Sequence, residues 1–326
     1  MSIIGIDIGG TKCAVILGNA SIDGRLNIIS KKTVLTKDFP DPYRMITRLQ
    51  QMIDDLLVSS ETEITPVSSI GISCGGPLDS KTGIIYSPPN LPGWDEIHIA
   101  ELFSQKYGIP VSLQNDANAC ALAEWLLGAG RGTSNMVFLT FGTGMGGGLI
   151  LNGRLYSGTN DLGGEIGHIR LAKTGPVGFG KAGSFEGFCS GGGIAQLAKS
   201  IVLGKLKENQ IVGFCPSAEM AGEIDAKTVA EAARQGDPVA LQILNESAEY
   251  LGHGLAILID ILNPECIVIG SIYARNETFF KPVVEEVLRR EAIPSAFKVC
   301  KIKPSELGES IGDFASLCVA FYKEKF

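Results

Sequence analysis

Residues 139–168 read LTFGTGMGGGLILNGRLYSGTNDLGGEIGH. An apolar β-type run, Met136 to Phe141, breaks into Gly142-Thr143-Gly144-Met145-Gly146-Gly147-Gly148, resumes as Leu149-Ile150-Leu151 and turns at Asn152-Gly153. That pattern predicts a hairpin with a glycine-rich bend. Glycines admit positive φ and let backbone N–H groups approach an anion, and Thr143 adds a hydroxyl, so the bend reads as a phosphate cradle. The competing reading is an ordinary glycine-rich hairpin, because a glycine loop alone is weakly specific.

A second stretch near the N-terminus changes that balance. The strand Ser2 to Gly9 runs through Asp7-Ile8-Gly9-Gly10-Thr11-Lys12 and at once into another strand, Cys13 to Leu17. The turn can present amides and the Thr11 hydroxyl to phosphate oxygens. A carboxylate beside such a cradle would be repelled unless a cation lay between them, so Asp7 is a candidate for holding Mg²⁺, directly or through water. Asp7 could also merely cap the turn, and Lys12 also reads as a solvated charge. Two Gly-Thr hairpins in one chain favour a nucleotide site.

The whole chain sets the bounds. At 326 residues it can bury proper cores without a disulfide or metal staple, and two domains are expected. An apolar content of 45%, a charged content of 19% and a net charge of −7 fit a globular protein without a polyanion-binding surface, which argues against nucleic acid. The eight cysteines are scattered, form no CxxC pair and lie mostly in apolar runs, as buried cytosolic thiols do. No signal peptide and no membrane span is expected, and a cytoplasmic location follows.

Along the chain, Leu26 to Thr36 is strand-like and Asp41 to Ser59 has helical apolar spacing. Val67 to Ser73 is a buried strand ending in Cys74-Gly75-Gly76-Pro77-Leu78-Asp79, a turn at a carboxyl end where ligands gather in open α/β sheets. The loop Ile84 to Trp94 offers Asn90 and Trp94 as binding groups, or is a rigid linker packed by Trp94. The helix Ile97 to Tyr107 and the strand Pro110 to Gln114 lead to Asn115-Asp116-Ala117-Asn118 and the helix Ala119 to Leu127. One of Asn115 and Asp116 suffices as a helix cap, which leaves a spare group at the strand end. Asp116 is the best general-base candidate in the chain.

Beyond the central hairpin, Glu165 and His168 share one face if the chain turns helically there, and Glu186 follows in the loop Gly175 to Glu186. Ser190 to Leu203 is a predicted helix, Gly204 to Ile224 an irregular insert, and Ala226 to Arg234 and Pro238 to Leu262 are helices. The strand Glu265 to Ile269 stops at Gly270-Ser271, where a flat ring such as adenine could approach, though a plain turn explains the glycine almost as well. A helix over Thr278 to Arg289, a strand over Phe297 to Ile302 and a helix over Glu309 to Lys323 close the chain.

Taken together and in order, DIGGTK at 7–12, GISCGGPLD at 71–79, NLPGW at 90–94, NDANACALAEW at 115–125, TGMGGGLILNGRLYSGTNDLGGEIGH at 143–168 and NPECIVIGS at 263–271 resemble the ROK family of sugar kinases. The resemblance implies an α/β, two-domain actin-like ATPase (ribonuclease H-like) fold, with duplicated βββαβα-type domains around a central cleft. It implies a smaller domain of residues 1–115, with a helix at about 309–326 packing back on it, and a larger domain of 116–308. It implies sugar contacts from Gly76, Asn90, Asn115, Asp116, Glu165, His168 and Glu186, with Asp116 as base. ATP would be held by Asp7, Gly9, Gly10, Thr11 and Lys12, by Gly142, Thr143, Gly144 and Gly146, and near adenosine by Gly270 and Ser271, with Mg²⁺ at Asp7. A homodimer is likewise implied.

The chain departs from the family where many members carry a zinc site of the form CxCGxxGCxE. Alignment on Glu186 puts Val177, Phe179 and Ser184 at the cysteine positions, so no structural zinc is expected, His168 is left free for the sugar, and the loop around Phe179 must be held by packing. The function expected is ATP-dependent phosphorylation of a hexose 6-hydroxyl, glucose first, with N-acetylglucosamine, N-acetylmannosamine or fructose behind it. The rivals are a repressor with an added DNA-binding domain, for which the chain lacks room, a sugar-binding regulator that has lost catalysis, and an ATPase with a non-sugar substrate.

Overall fold

The structure is a computed structural model that describes residues 1–21, 24–59 and 66–325. In chain order its elements are β1 Ser2–Ile8, β2 Lys12–Ala20, β3 Leu26–Leu35, α1 Pro42–Ser59, β4 Val67–Cys74, β5 Leu78–Asp79, β6 Ile84–Ile85, α2 Ile99–Tyr107, β7 Val111–Asn115 and α3 Asp116–Leu126. Next come β8 Met136–Leu139, β9 Gly147–Leu151, β10 Arg154–Tyr156, β11 Val177–Gly178, β12 Lys181–Ala182, α4 Phe185–Phe188, α5 Gly191–Lys207, α6 Ala226–Arg234 and α7 Pro238–Leu262. The chain ends with β13 Cys266–Ile269, α8 Ser271–Arg275, α9 Glu277–Glu291, α10 Pro294–Val299, β14 Lys301–Pro304 and α11 Ile311–Lys325. Two compact units result, Met1–Ser134 with Gly148–Gly164 and Glu306–Phe326 as unit 1, and Asn135–Gly147 with Glu165–Ser305 as unit 2.

Unit 1 is built on a sheet of order β3-β2-β1-β4-β7. Strands β1 to β3 are antiparallel neighbours, and β4 and β7 continue parallel to β1. Side chains alternate across a strand, so Ile4, Ile6 and Ile8 share one face, where they join a core with Met45, Leu49, Met52 and Ile53 of α1 and Phe103 of α2. Gly5 and Asp7 share the other face, and there α11 packs against β1 and β4. The close approach is possible because Gly71 has no side chain; a Cβ there would collide with the backbone of Ser316 and Ala320. Ser69 Oγ donates to Ala320 O at 3.3 Å across the same contact.

Unit 2 carries three parallel strands in the order β8-β13-β14, and β13 is buried throughout. The long helix α7 is stopped at both ends by its sequence. Asp237 accepts from the N–H groups of Val239 and Ala240 ahead of Pro238, and Asn263 closes the helix at φ 44° before Pro264. Its apolar face packs on α5, α6 and α9.

Several predicted boundaries move. The strand expected over Phe297 to Ile302 begins at Lys301, because Pro294 at the first helical position opens α10 across Phe297–Val299. The helix expected to end at Leu203 continues to Lys207, so the insert is shorter than predicted. Helix α3 starts at Asp116 rather than Ala119, and α11 starts at Ile311 rather than Glu309. Its last expected residue, Phe326, lies outside the described residues. Among the described residues no helix is long and apolar enough to cross a membrane.

Candidate active site

In unit 1, the turn between β1 and β2 is tied inward. Gly9 N–H donates to Lys12 O at 3.1 Å, while Gly10, Thr11 and Lys12 are exposed. Among the described residues the N–H groups of Gly10 and Thr11 meet no acceptor. Two amides and one threonine hydroxyl are therefore presented at the hairpin tip, as an anion requires. Gly10 lies against the loop after β6, where a Cβ would stand 2.8 Å from Asn90 O. Asn90 itself is exposed, whereas Trp94 is 1% exposed and belongs to the core, which makes the tryptophan the packing residue of that loop.

Asp7 leaves β1 on the face that α11 covers, and α11 meets its carboxylate at Gly312. Burial, followed by the charges of Asp116 and Asp313, pushes the Asp7 carboxyl up to about 6, against the opposing pull of Lys12 and Lys31. Asp313 is itself paired with Lys31 at 2.6 Å. A group so crowded by like charge would be relieved by a cation, and this donor chemistry fits Mg²⁺ held by one carboxylate together with phosphate oxygens. Among the described residues no group of three or more His, Cys, Asp or Glu is arranged to hold a metal ion by itself.

At the end of β7 the two candidate groups divide the work of a helix start. Asn115 is extended and its Oδ1 accepts Ala117 N–H at 2.9 Å, so it is the cap of α3. Asp116 Oδ1 accepts the same N–H at 2.8 Å and keeps its second oxygen outside the cap. The Asp116 side chain is exposed, yet the protein atoms around it displace enough water to raise its carboxyl above the ordinary aspartate range, partly offset by the backbone N–H groups of Ala117 and Asp116. Gly76 stands beside Asn115, its Cβ position 3.3 Å from Asn115 Nδ2.

In unit 2, the bend after β8 is closed by its own backbone. Thr140 N–H donates to Gly146 O at 3.0 Å, Gly146 N–H to Thr140 Oγ1 at 2.9 Å and Gly142 N–H to Gly144 O at 2.9 Å. Met145 N–H donates to Glu186 Oε2 at 2.9 Å. Only Thr143 and Gly144 of residues 142–146 keep N–H groups without an acceptor among the described residues. The amides of Gly142 and Gly146 are thus spent on the shape of the loop. Gly270 and Ser271 are beside it: Gly270 N–H donates to Leu139 O at 2.9 Å, and a Cβ on Gly142 would lie 3.7 Å from Ser271 Oγ.

Glu165 and His168 lie on one short helical turn, with His168 N–H donating to Glu165 O at 3.2 Å, and both side chains are exposed. Gly167 between them packs under Met145 O and Glu186 Cβ, which brings this turn, Glu186 and the glycine loop together. Glu186 sits in the first turn of α4 rather than in a loop, because Ser184 caps that helix by accepting Gly187 N–H at 3.1 Å.

The segment around Phe179 is packed, with Gly178 buried so closely that a Cβ there would stand 2.6 Å from Gly187 N and 2.8 Å from Glu186 Cβ. Phe179 itself is 79% exposed at φ 43°, so its ring is not part of that buried packing. Hydrogen bonds hold the β11–β12 hairpin: Arg170 Nη1 donates to Ala182 O at 2.6 Å, Lys181 Nζ to His168 O at 2.6 Å and Gly183 N–H to Pro176 O at 2.9 Å. The His168 ring meets Phe179 edge to face, with centroids 6.1 Å apart. Sequence reasoning gave Thr36 only as a strand end and Asp313 only as part of a helix start, since both reach the hairpin region through tertiary packing.

A family model for the ROK family matches residues 3–318. A glucokinase of Thermotoga maritima is 33% identical over 315 residues, 96% of this chain and 95% of the relative. An N-acetylmannosamine kinase of Shigella flexneri is 32% identical over 300 residues, 92% of this chain and 91% of the relative. The crystal structure of a ROK family glucokinase from Streptomyces griseus in complex with glucose and AMPPNP superposes with a TM-score of 0.74 at 28% identity, covering 99% of this chain and 100% of that one.

Proposed function

Because this chain belongs to the ROK family, we propose that it is an ATP-dependent sugar kinase acting on the 6-hydroxyl of a hexose. Glucose is the first substrate of this reading, and N-acetylglucosamine, N-acetylmannosamine and fructose are its alternatives. The observation that carries it is Asp116, an exposed carboxylate with a raised proton affinity, standing beside a separate residue that already caps the helix.

In this reading the hexose O6 attacks the γ-phosphorus of ATP, its proton passes to Asp116, and the bond from the γ-phosphorus to the bridging oxygen breaks to release ADP. A carboxylate of raised proton affinity suits that transfer. The phosphates take the free amides of Gly10, Thr11, Thr143 and Gly144, with the hydroxyls of Thr11 and Thr143, while Gly142 and Gly146 shape their loop. Asp7 would hold Mg²⁺, which when bound neutralises charge on the phosphates. Gly270 and Ser271 serve the adenosine side. Asn90, Asn115, Glu165, His168 and Glu186 supply paired donors and acceptors for sugar hydroxyls, with Gly76 leaving room beside Asn115.

The test is ADP release with ATP and Mg²⁺ across glucose, mannose, fructose, N-acetylglucosamine and N-acetylmannosamine, with Asp116→Asn as control. Turnover with one sugar, lost in the variant, supports the kinase and names the substrate. Sugar binding without turnover makes the chain a sugar-binding regulator instead.

A further inference from the structure

The ladder between β2 and β3 ends at the pair Lys12 and Leu35, and the next residue, Thr36, reaches back over the hairpin. Its N–H donates to Thr11 O at 3.0 Å, and its Oγ1 donates to Gly9 O at 2.6 Å. The Cys13 thiol adds a longer contact to Gly9 O at 3.8 Å and lies 3.5 Å from Thr36 Oγ1. With Lys12 O taken by Gly9 N–H, the carbonyls of Gly9, Thr11 and Lys12 are all committed inward. A peptide unit whose carbonyl is held on one side presents its N–H on the other. The free amide of Gly10 follows directly, because it belongs to the peptide unit whose carbonyl is that of Gly9, fixed by the threonine hydroxyl.

We propose that Thr36 is a positioning residue for the nucleotide phosphates, its hydroxyl holding the Gly9 carbonyl inward so that the Gly10 N–H faces the anion at the hairpin tip. The proposal rests on the nucleotide reading of this hairpin. Without the hydroxyl, the Gly9 carbonyl loses its closest donor and the Gly9–Gly10 peptide can turn, which sets a carbonyl oxygen where a phosphate oxygen must come. Two glycines make that rotation easy. Thr36 touches neither the sugar nor the reacting atoms in this scheme, so its effect belongs to nucleotide affinity.

The test compares Thr36→Val, which keeps the shape and removes the hydroxyl, with Thr36→Ser, which keeps the hydroxyl. In the full-length protein, MgADP affinity is measured by calorimetry without sugar, and KM is measured for ATP and for the best hexose. Thr36→Val is expected to weaken MgADP and raise the ATP KM about tenfold, the effect of one lost hydrogen bond to a site-shaping group. Hexose KM and Tm should stay near wild type, and Thr36→Ser should restore nucleotide affinity. Unchanged MgADP affinity in Thr36→Val overturns the proposal, as does an equal rise in both KM values with a lowered Tm, or failure of Thr36→Ser to rescue. Wild type that binds MgADP without phosphorylating any sugar defeats the kinase reading and leaves this one standing on the calorimetry. Wild type that binds no MgADP overturns this one.

Discussion

Glu186 Oε2 accepts the Met145 N–H at 2.9 Å, so the carboxylate proposed as a sugar contact also anchors the glycine loop. Glu186→Gln retains an amide oxygen for Met145 and removes the charge; Glu186→Ala leaves the amide unpaired. The expected result is a raised hexose KM in both variants, about tenfold, with the ATP KM raised only in Glu186→Ala. Steady-state kinetics in both substrates decides it, and an unchanged ATP KM in Glu186→Ala would show that the anchor does not shape the loop.

Asp116 must be ionised to accept a proton, and the protein atoms that displace water around it raise its carboxyl above the ordinary aspartate range. The acid limb of kcat/KM for the hexose is therefore expected above the ordinary aspartate range. A pH profile that shows the limb in wild type and loses it, with activity reduced at least about a hundredfold, in Asp116→Asn confirms the assignment. A limb that survives in the variant belongs to another group.

Asp7 bears on stability in the metal-free protein. Its folded-state value of about 6 exceeds 3.8, so between these values the folded chain holds a proton that the unfolded chain has released. That contribution is fully present below pH 3.8 and is lost as pH rises through about 6. Asp7→Asn, unfolded with denaturant in EDTA, is expected to flatten the slope over this window. It should exceed wild type at pH 7 by about 1–2 kcal/mol, after discounting for the solvent the group retains. A variant less stable than wild type at pH 7 would contradict the crowding of carboxylates.

Tyr273 is fully buried beside Phe280, with ring centroids 6.0 Å apart, and its hydroxyl has no hydrogen-bond partner among the described residues. Removing a buried polar atom that bonds to nothing relieves a desolvation cost. Tyr273→Phe should leave Tm unchanged or raise stability by up to about 1 kcal/mol. A loss larger than that would reveal a partner such as an ordered water.

Glu124 presents the reverse case. It is 0% exposed, and its carboxylate accepts the N–H groups of Ala129 at 2.8 Å, Leu307 at 3.0 Å and Glu306 at 3.3 Å. Glu124→Ala strands the buried Ala129 N–H and two part-buried donors and should cost about 2–4 kcal/mol, read from denaturant midpoints. Loss below about 1 kcal/mol would mean that water replaces the carboxylate.

The glycine hairpins, the capping pair Asn115 and Asp116, and the Glu165–His168 turn were legible in the sequence because each is a local pattern. Covalent neighbours and backbone periodicity define them. Thr36 was not legible, since its role depends on a bond to Gly9 across 27 positions. Gly312 and Asp313 were visible only as a helix start, and nothing local says that this start docks against Asp7. The apolar run Phe297 to Ile302 suits a strand or a helix equally, and Pro294, lying outside it, decides. The bonds from Arg170 and Lys181 that help hold the segment around Phe179 were not legible for the same reason, because they join residues 12 and 13 positions apart.

The placement of α11 on β1 and β4 sets a timetable for synthesis. Residues 306–325 leave the ribosome after all of unit 2, yet they pack across the first strand made, β1, and its neighbour β4. Until then the surface around Gly5, Gly71 and Asp7 stays open to water and to other chains. The segment made first is therefore among the last to be finished, and a nascent chain paused before residue 306 is a target for chaperones rather than a folded domain.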